Sequence, residues 1–474
     1  MERKNAWESY DKKTLKKVDK FASDYIDFIS ECKTERECVD SIVNTIEAAG
    51  YKELKEVIRS GEKLGSGDKV YSVQMNKSLV MFKIGKKTVS EGLNILGAHI
   101  DSPRLDIKQN PLYEDTGVAY LDTHYYGGVK KYQWVTIPLA LHGVVVKKDG
   151  TTIELNIGEN EDDPVFFVSD LLIHLAADQM EKKAAKVIEG EALDIIIGSK
   201  PLVISKDKDG KSKDKEEKAK DPVKQGILNI LKDEYDFEEE DFLSAELEVV
   251  PAGRAREAGF DKSLILGYGH DDRVCAYPSM MAMLETGDTD RCACCILVDK
   301  EEIGSVGATG MQSRFFENAV SELLELTEGF SELKLKRTLA ASCMLSSDVS
   351  AAFDPTYSDA FDKKNAAHLG RGLVFNKFTG ARGKSGSNDA NAEYIAHLRD
   401  ILDRNGVFYQ TAELGKVDKG GGGTIAYILA LYGMNVIDSG VAVLNMHAPW
   451  EAISKADLYE SLKGYMAFLE GAGL

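Results

Sequence analysis

Apolar residues recur at three- and four-residue spacing near the start of the chain: Leu15, Val18, Phe21, Ala22, Tyr25, Phe28 and Ile29. That period lays one apolar stripe along a helix. A second helix is expected from Thr34, because Thr34 and Glu37 form a capping-box pattern ahead of Val39, Ile42, Val43 and Ile46. After Gly65 the runs shorten to "VYSVQM", "SLVMFKIG" and "LNILGAHID", which read as strands. From about Lys108 to Phe260 the alternation changes again. Segments such as "TIPLALHGVVVK", "TTIELNIG" and "ALDIIIG" suggest a strand-rich insertion.

Beyond Lys262, apolar runs alternate with helical patterns: "SLILGYG" then "VCAYPSMMAMLE", and "CACCILV" then "SRFFENAVSELLEL". "TLAASCML" precedes "NAEYIAHLRDIL", and "GVAVLNM" precedes "KADLYESLKGYMAFLE". Such alternation implies an α/β fold with a mainly parallel central sheet flanked by helices. The expected organisation is therefore an α/β domain over 1–107 and 261–474, with an inserted domain over 108–260. The run "KDKDGKSKDKEEKAKD" from Lys206 to Asp221 is low-complexity and charged, and reads as a solvated loop.

With 474 residues the chain exceeds the size of one hydrophobic core. A net charge of −19 argues against nucleic acid or an anionic membrane surface as partner. No apolar stretch reaches the roughly eighteen residues of a membrane span, and the start has no apolar core of signal-peptide length. A cytoplasmic protein is expected. The seven cysteines fit that compartment, with Cys292, Cys294, Cys295 and Cys343 read as core residues rather than zinc ligands. Consecutive strand residues point to opposite faces and cannot converge on one ion.

The polar residues that follow the apolar runs carry the chemistry. "LNILGAHIDSP" ends in His99 and Asp101, "LILGYGHDDRV" in His270, Asp271 and Asp272, and "CCILVDKEEIG" in Glu301 and Glu302. "AASCMLSSDVS" ends in Asp348 and "AVLNMHAP" in His447. Each alone is ordinary, since carboxylates at turns accept backbone N–H bonds and a histidine after a strand is usually a loop residue. Together, five strands deliver histidine or carboxylate to the same edge of one sheet, where ligands bind in folds of this kind. So many like charges on one edge require cations between them. The mixed N/O set suits two divalent ions, Zn²⁺, Mn²⁺ or Co²⁺, about 3.5–4 Å apart and sharing one carboxylate. Because adjacent strand residues aim apart, Glu301 and Glu302 cannot be equivalent ligands, and one is left to act as a base.

The motifs "HIDSP", "HDD", "DKEEIGSVGATG", "SSDVSAAFDP" and "GGGTIAYILALYGMNVIDSGVAVLNMHAPWE" resemble, in order and interval, the aspartyl aminopeptidase and aminopeptidase I family of dinuclear zinc metallopeptidases. The resemblance covers nearly the whole chain. It implies one metal on His99 and Asp348, a second on Glu302 and His447, and Asp271 between them. Glu301 would be the general base and Asp101 would orient His99. It further implies peptide substrates cut at the N-terminal residue, and dimer-based dodecamers built through the inserted domain. His174, in "DLLIHLAADQ", would reach into a neighbouring subunit's site.

Where eukaryotic relatives carry a basic pocket for acidic side chains, this chain has Asp354 and Asn376, with Lys377 adjacent. "KGGGGT" from Lys419 to Thr424 could present backbone N–H groups to a substrate, or be a plain loop. Two alternative readings remain: a two-metal carboxypeptidase or deacylase, with Arg382 and Lys384 as a carboxylate clamp, and a catalytically silent self-assembling scaffold. The silent scaffold would have no need of Glu301.

Overall fold

The computed structural model describes residues 3–202, 220–380 and 383–473. The charged run over 206–219 and Arg382 therefore lie outside the described residues. The chain divides into two compact units, residues 1–102 with 254–474, and residues 103–253.

In the first unit the N-terminal periodicity becomes the helix Lys12–Glu31, with Val18, Phe21, Tyr25, Phe28 and Ile29 buried. The next helix, Glu35–Ala48, begins at the capping box expected from sequence: Glu37 N donates to Thr34 Oγ1 (3.3 Å) and Thr34 N to Glu37 Oε2 (3.0 Å). A nine-stranded sheet forms the centre. Its middle consists of Ser78–Lys83, Cys292–Val298, Leu93–His99, Cys343–Ser347 and Asn435–Gly440, in that spatial order.

Both faces of this sheet are covered. On Cys292–Val298, Cys292, Cys294, Ile296 and Val298 enter one apolar cluster, while Ala293, Cys295 and Leu297 enter the other. A strand buried on both sides has no polar face, which accounts for the unbroken run "CACCILV". All seven cysteines are buried and none is in a disulfide.

The sheet is mixed, with five of its eight strand pairings parallel and three antiparallel. Cys292–Val298, Leu93–His99, Cys343–Ser347 and Asn435–Gly440 pair in parallel. Lys69–Gln74 and Ser78–Lys83 form an antiparallel hairpin, and Ser78–Lys83 also runs antiparallel to Cys292–Val298. The physical reason is the short link Met75–Lys77, with Met75 and Asn76 at positive φ, because a connection so short can only reverse the chain. Leu373–Asn376 likewise opposes Asn435–Gly440.

A second correction concerns the shared edge. Leu264–Gly267 and Ala442–Leu444, which precede Asp271 and His447, belong to a separate five-stranded sheet with Arg256–Ala258, Glu451–Ser454 and Ser350–Ala351. Only three of the five site-bearing strands lie in the central sheet.

The second unit is built on a six-stranded antiparallel sheet that includes Arg104–Asp115, Val118–Tyr126, Leu139–Val146 and Ala245–Pro251. Among the described residues no helix is long and apolar enough to cross a membrane.

Candidate metal centre

Three parallel strands end side by side, with His99 opposite Val298 in register. His99 closes the strand Leu93–His99 and is 1% exposed. Its Nε2 lies 3.2 Å from Asp271 Oδ1 and 3.9 Å from Asp348 Oδ1. Its Nδ1 faces Asp101, 3.0 Å from the main-chain oxygen and 3.3 Å from Oδ1. Asp101 is fully buried and accepts from Glu301 N and Glu302 N, each at 3.1 Å. One carboxylate thus orients the imidazole and holds the backbone of both glutamates.

Lys300 takes the left-handed conformation (φ 70°) where the strand Cys292–Val298 gives out. Glu301 and Glu302 therefore sit in a single 3-10 turn, not in extended chain. Adjacent side chains in such a turn lie roughly 120° apart rather than opposed. This corrects the expectation that the pair must aim apart: ligand atoms of both come within 4.8 Å of a His99 nitrogen and of each other. Glu302 goes further, with Oε2 3.5 Å from His447 Nε2, while its buried Oε1 has no hydrogen-bond partner.

Asp271 precedes the regular part of the helix His270–Glu285, where its dihedrals depart from helical values. Its Oδ1 faces His99 and its Oδ2 lies 3.3 Å from His447 Nε2. Ser102 Oγ donates to the Asp271 carbonyl oxygen (2.7 Å). The ligand atoms fall into overlapping groups: His99, Asp271 and Asp348; Asp271, Glu302 and His447; and His99, Glu301 and Glu302.

The electrostatics are those of a cation site. Burial disfavours a charged His99, yet hydrogen bonds to Asp101, Asp271 and Asp348 raise its pKa well above the usual histidine range. Burial alone would raise Asp271, but hydrogen bonds from His447 and His99 hold it well below the usual carboxylate range. Glu301 is pushed up to about 8, first by burial and then by the charge of Asp348. Burial and Asp271 likewise raise Glu302. Zinc fits this set: imidazole nitrogens and carboxylate oxygens converge, and a buried glutamate oxygen awaits a partner.

Other sequence candidates lie elsewhere. His270 turns away, its Nδ1 2.8 Å from Tyr25 Oη and its Nε2 3.2 Å from the Ile265 carbonyl. Asp272 is fully buried but belongs to none of the ligand groups. His174 lies in the other unit, in the exposed turn Ile173–Leu175. Asp354 caps its own turn, accepting from Thr356 N at 2.8 Å, and Asn376 donates to the Ala412 carbonyl at 3.0 Å. Lys377 and Lys384 both pair with Asp389, at 2.8 and 3.0 Å. In "KGGGGT", Thr424 Oγ1 donates to Asp438 Oδ1 (2.5 Å). Sequence reasoning passed over Glu451, since a single acidic residue at a strand start carries no signature; it accepts from the backbone of both Asp271 and His447.

Solved structures of the same fold set the class, a metallo-aminopeptidase. An aminopeptidase of the M18 family from Thermotoga maritima matches with a TM-score of 0.91 at 42% identity, covering 100% of both chains. Aminopeptidase I from Clostridium acetobutylicum matches with a TM-score of 0.89 at 59% identity, covering 99% of both. A curated relative from Clostridium acetobutylicum, a probable M18 family aminopeptidase 1, is 61% identical over 468 residues, 99% of this chain and 98% of its own length.

The model of the aminopeptidase I zinc metalloprotease family (M18) matches residues 28–469, and the chain belongs to that family. It is an aminopeptidase, a hydrolase of the zinc metalloprotease type.

Proposed function

We propose that this aminopeptidase works with two zinc ions, one held by His99 and Asp348 and the other by Glu302 and His447, with Asp271 shared. The observation that carries this reading is Asp271, whose two oxygens face different histidines at 3.2 and 3.3 Å. When bound, the ions polarise the scissile carbonyl and make water a nucleophile near neutral pH.

Glu301 is the general base. Its carboxyl lies beside His99, and of the two glutamates Glu302 is the one that also reaches His447 and Asp271, so Glu301 is left to take the proton of the attacking water. The same carboxyl then passes that proton to the departing amine nitrogen. Asp101 positions His99 and, through the two backbone N–H groups, both glutamates.

The 103–253 unit is assigned as the oligomerisation domain of a dimer-based dodecamer. Leu172 (54% exposed), Ile173 (69%) and Leu175 (68%) flank His174, an apolar stretch suited to burial by a second copy of the chain. His174 is assigned to the neighbouring subunit's site as an oxyanion donor. The buried cysteines, none of them in a disulfide, suit the cytoplasm.

The test is metal-free enzyme reconstituted with Zn²⁺, Mn²⁺ or Co²⁺ and assayed on aminoacyl-p-nitroanilides beside their N-acetylated forms. Activity should return at two zinc per chain and only on free amines. Return at one zinc per chain, or equal cleavage of blocked substrates, contradicts the reading.

A further inference from the structure

We propose that Glu451 is a positioning residue of the metal centre, clasping together the two loops that carry Asp271 and His447. It opens the strand Glu451–Ser454, opposite Gly267 in register, and is 1% exposed. Its Oε2 accepts from Asp271 N (3.0 Å) and its Oε1 from His447 N (2.8 Å). Each of those N–H groups sits where regular pairing has stopped. Gly269, at φ 75°, breaks the chain before Asp271, and a Cβ there would come within 2.0 Å of Arg273 Nη1. Asn445 and His447 both adopt positive φ (63°), an arrangement non-glycine residues take only when their surroundings impose it.

A carboxylate with two acceptor oxygens can receive both amides at once, and here that fixes the spacing between the loops. The result is read directly in the 3.3 Å between His447 Nε2 and Asp271 Oδ2. Of the half-site formed by Asp271, Glu302 and His447, two members are tied to Glu451. Of the half-site formed by His99, Asp271 and Asp348, only one is. Loss of the clasp therefore weakens the first half-site more than the second. The inference rests on the two-zinc reading above.

Glu451→Gln is the test, because glutamine keeps the shape but turns one acceptor into an NH₂ that meets an N–H. Zinc affinities are measured by competition with chelators of graded strength, with His447→Ala as the reference that assigns the two constants. Thermal unfolding of the metal-free proteins accompanies them. The expected result is a loss of about 10–100-fold at the His447 half-site, in line with removal of groups that orient metal ligands. The other half-site should lose clearly less, and the metal-free unfolding temperature should stay near that of the unaltered chain. Unchanged affinities, or equal losses at both half-sites, overturn the clasp. So does a variant that unfolds without metal, since that assigns Glu451 to the scaffold. An unaltered chain that takes up no zinc would instead overturn the two-zinc reading itself.

Discussion

Exchanging one oxygen for nitrogen separates the roles of the adjacent glutamates. On the proposed reading Glu301→Gln removes a proton acceptor but no ligand, so kcat should fall by roughly 10²–10⁴-fold with two zinc ions retained. Glu302→Gln should instead lower the zinc content. Elemental analysis beside kinetics distinguishes them, and a Glu301→Gln variant of near-normal activity would exclude the base. Specificity is also set by single residues. On the family resemblance, the positions of the acidic-residue pocket would hold Asp354 and Asn376, and Lys377 and Lys384 are paired with Asp389. A carboxylate buried there without a cation costs several kcal/mol. Leu- and Ala-anilides should therefore exceed Asp- and Glu-anilides in kcat/KM by at least about tenfold; the reverse order would show that a cation serves this pocket.

Elements hold the site through contacts that sequence patterns do not display. Gly440, in the strand Asn435–Gly440, passes so close to the next strand that a Cβ would come within 1.8 Å of the Asp348 carbonyl oxygen. Gly440→Ala should destabilise the protein by about 1–3 kcal/mol and loosen zinc at the Asp348 half-site, read by thermal unfolding and chelator competition. On the same strand Asp438 is pushed up to about 7, first by burial, and its Oδ2 has no hydrogen-bond partner. A carboxyl whose folded pKa is raised stabilises fully below its unfolded value of 3.8 and loses that contribution as pH rises through about 7. Asp438→Asn should therefore gain several degrees in unfolding temperature over the unaltered chain at pH 8.5, and less than half of that gain at pH 5. An equal difference at both pH values would place the charge outside the core.

The helices from Lys12 and Glu35, and the doubly buried strand Cys292–Val298, were legible because period and capping are local properties. The mixed sheet was not, because the reversal at Met75 and Asn76 lacks the usual glycine. Nor was the placement of Leu264–Gly267 and Ala442–Leu444 in a second sheet, since a short apolar run does not say which neighbour it pairs with. The histidines and carboxylates that gather at the site could be read from the sequence. The left-handed turn at Lys300 that brings both glutamates inward, and the reach of Glu451 to two loops, are tertiary and could not.

At the scale of the whole molecule, the proposal ties activity to assembly. His174→Phe should leave zinc content and fold intact but lower kcat strongly, as expected for loss of an oxyanion donor from a neighbouring subunit. Mixing it with Glu301→Gln under subunit exchange should restore part of the activity, because some hybrid sites contain both residues intact. Confirmed exchange without recovery would remove His174 from the neighbouring site. The central claim, two zinc ions sharing Asp271, is tested most directly by anomalous diffraction at the zinc edge. The account predicts two peaks about 3.5–4 Å apart. One should lie within about 2.0–2.2 Å of His99 and Asp348, the other equally close to Glu302 and His447, with an Asp271 oxygen at each. A single peak, or a pair that leaves Asp271 unshared, would contradict it.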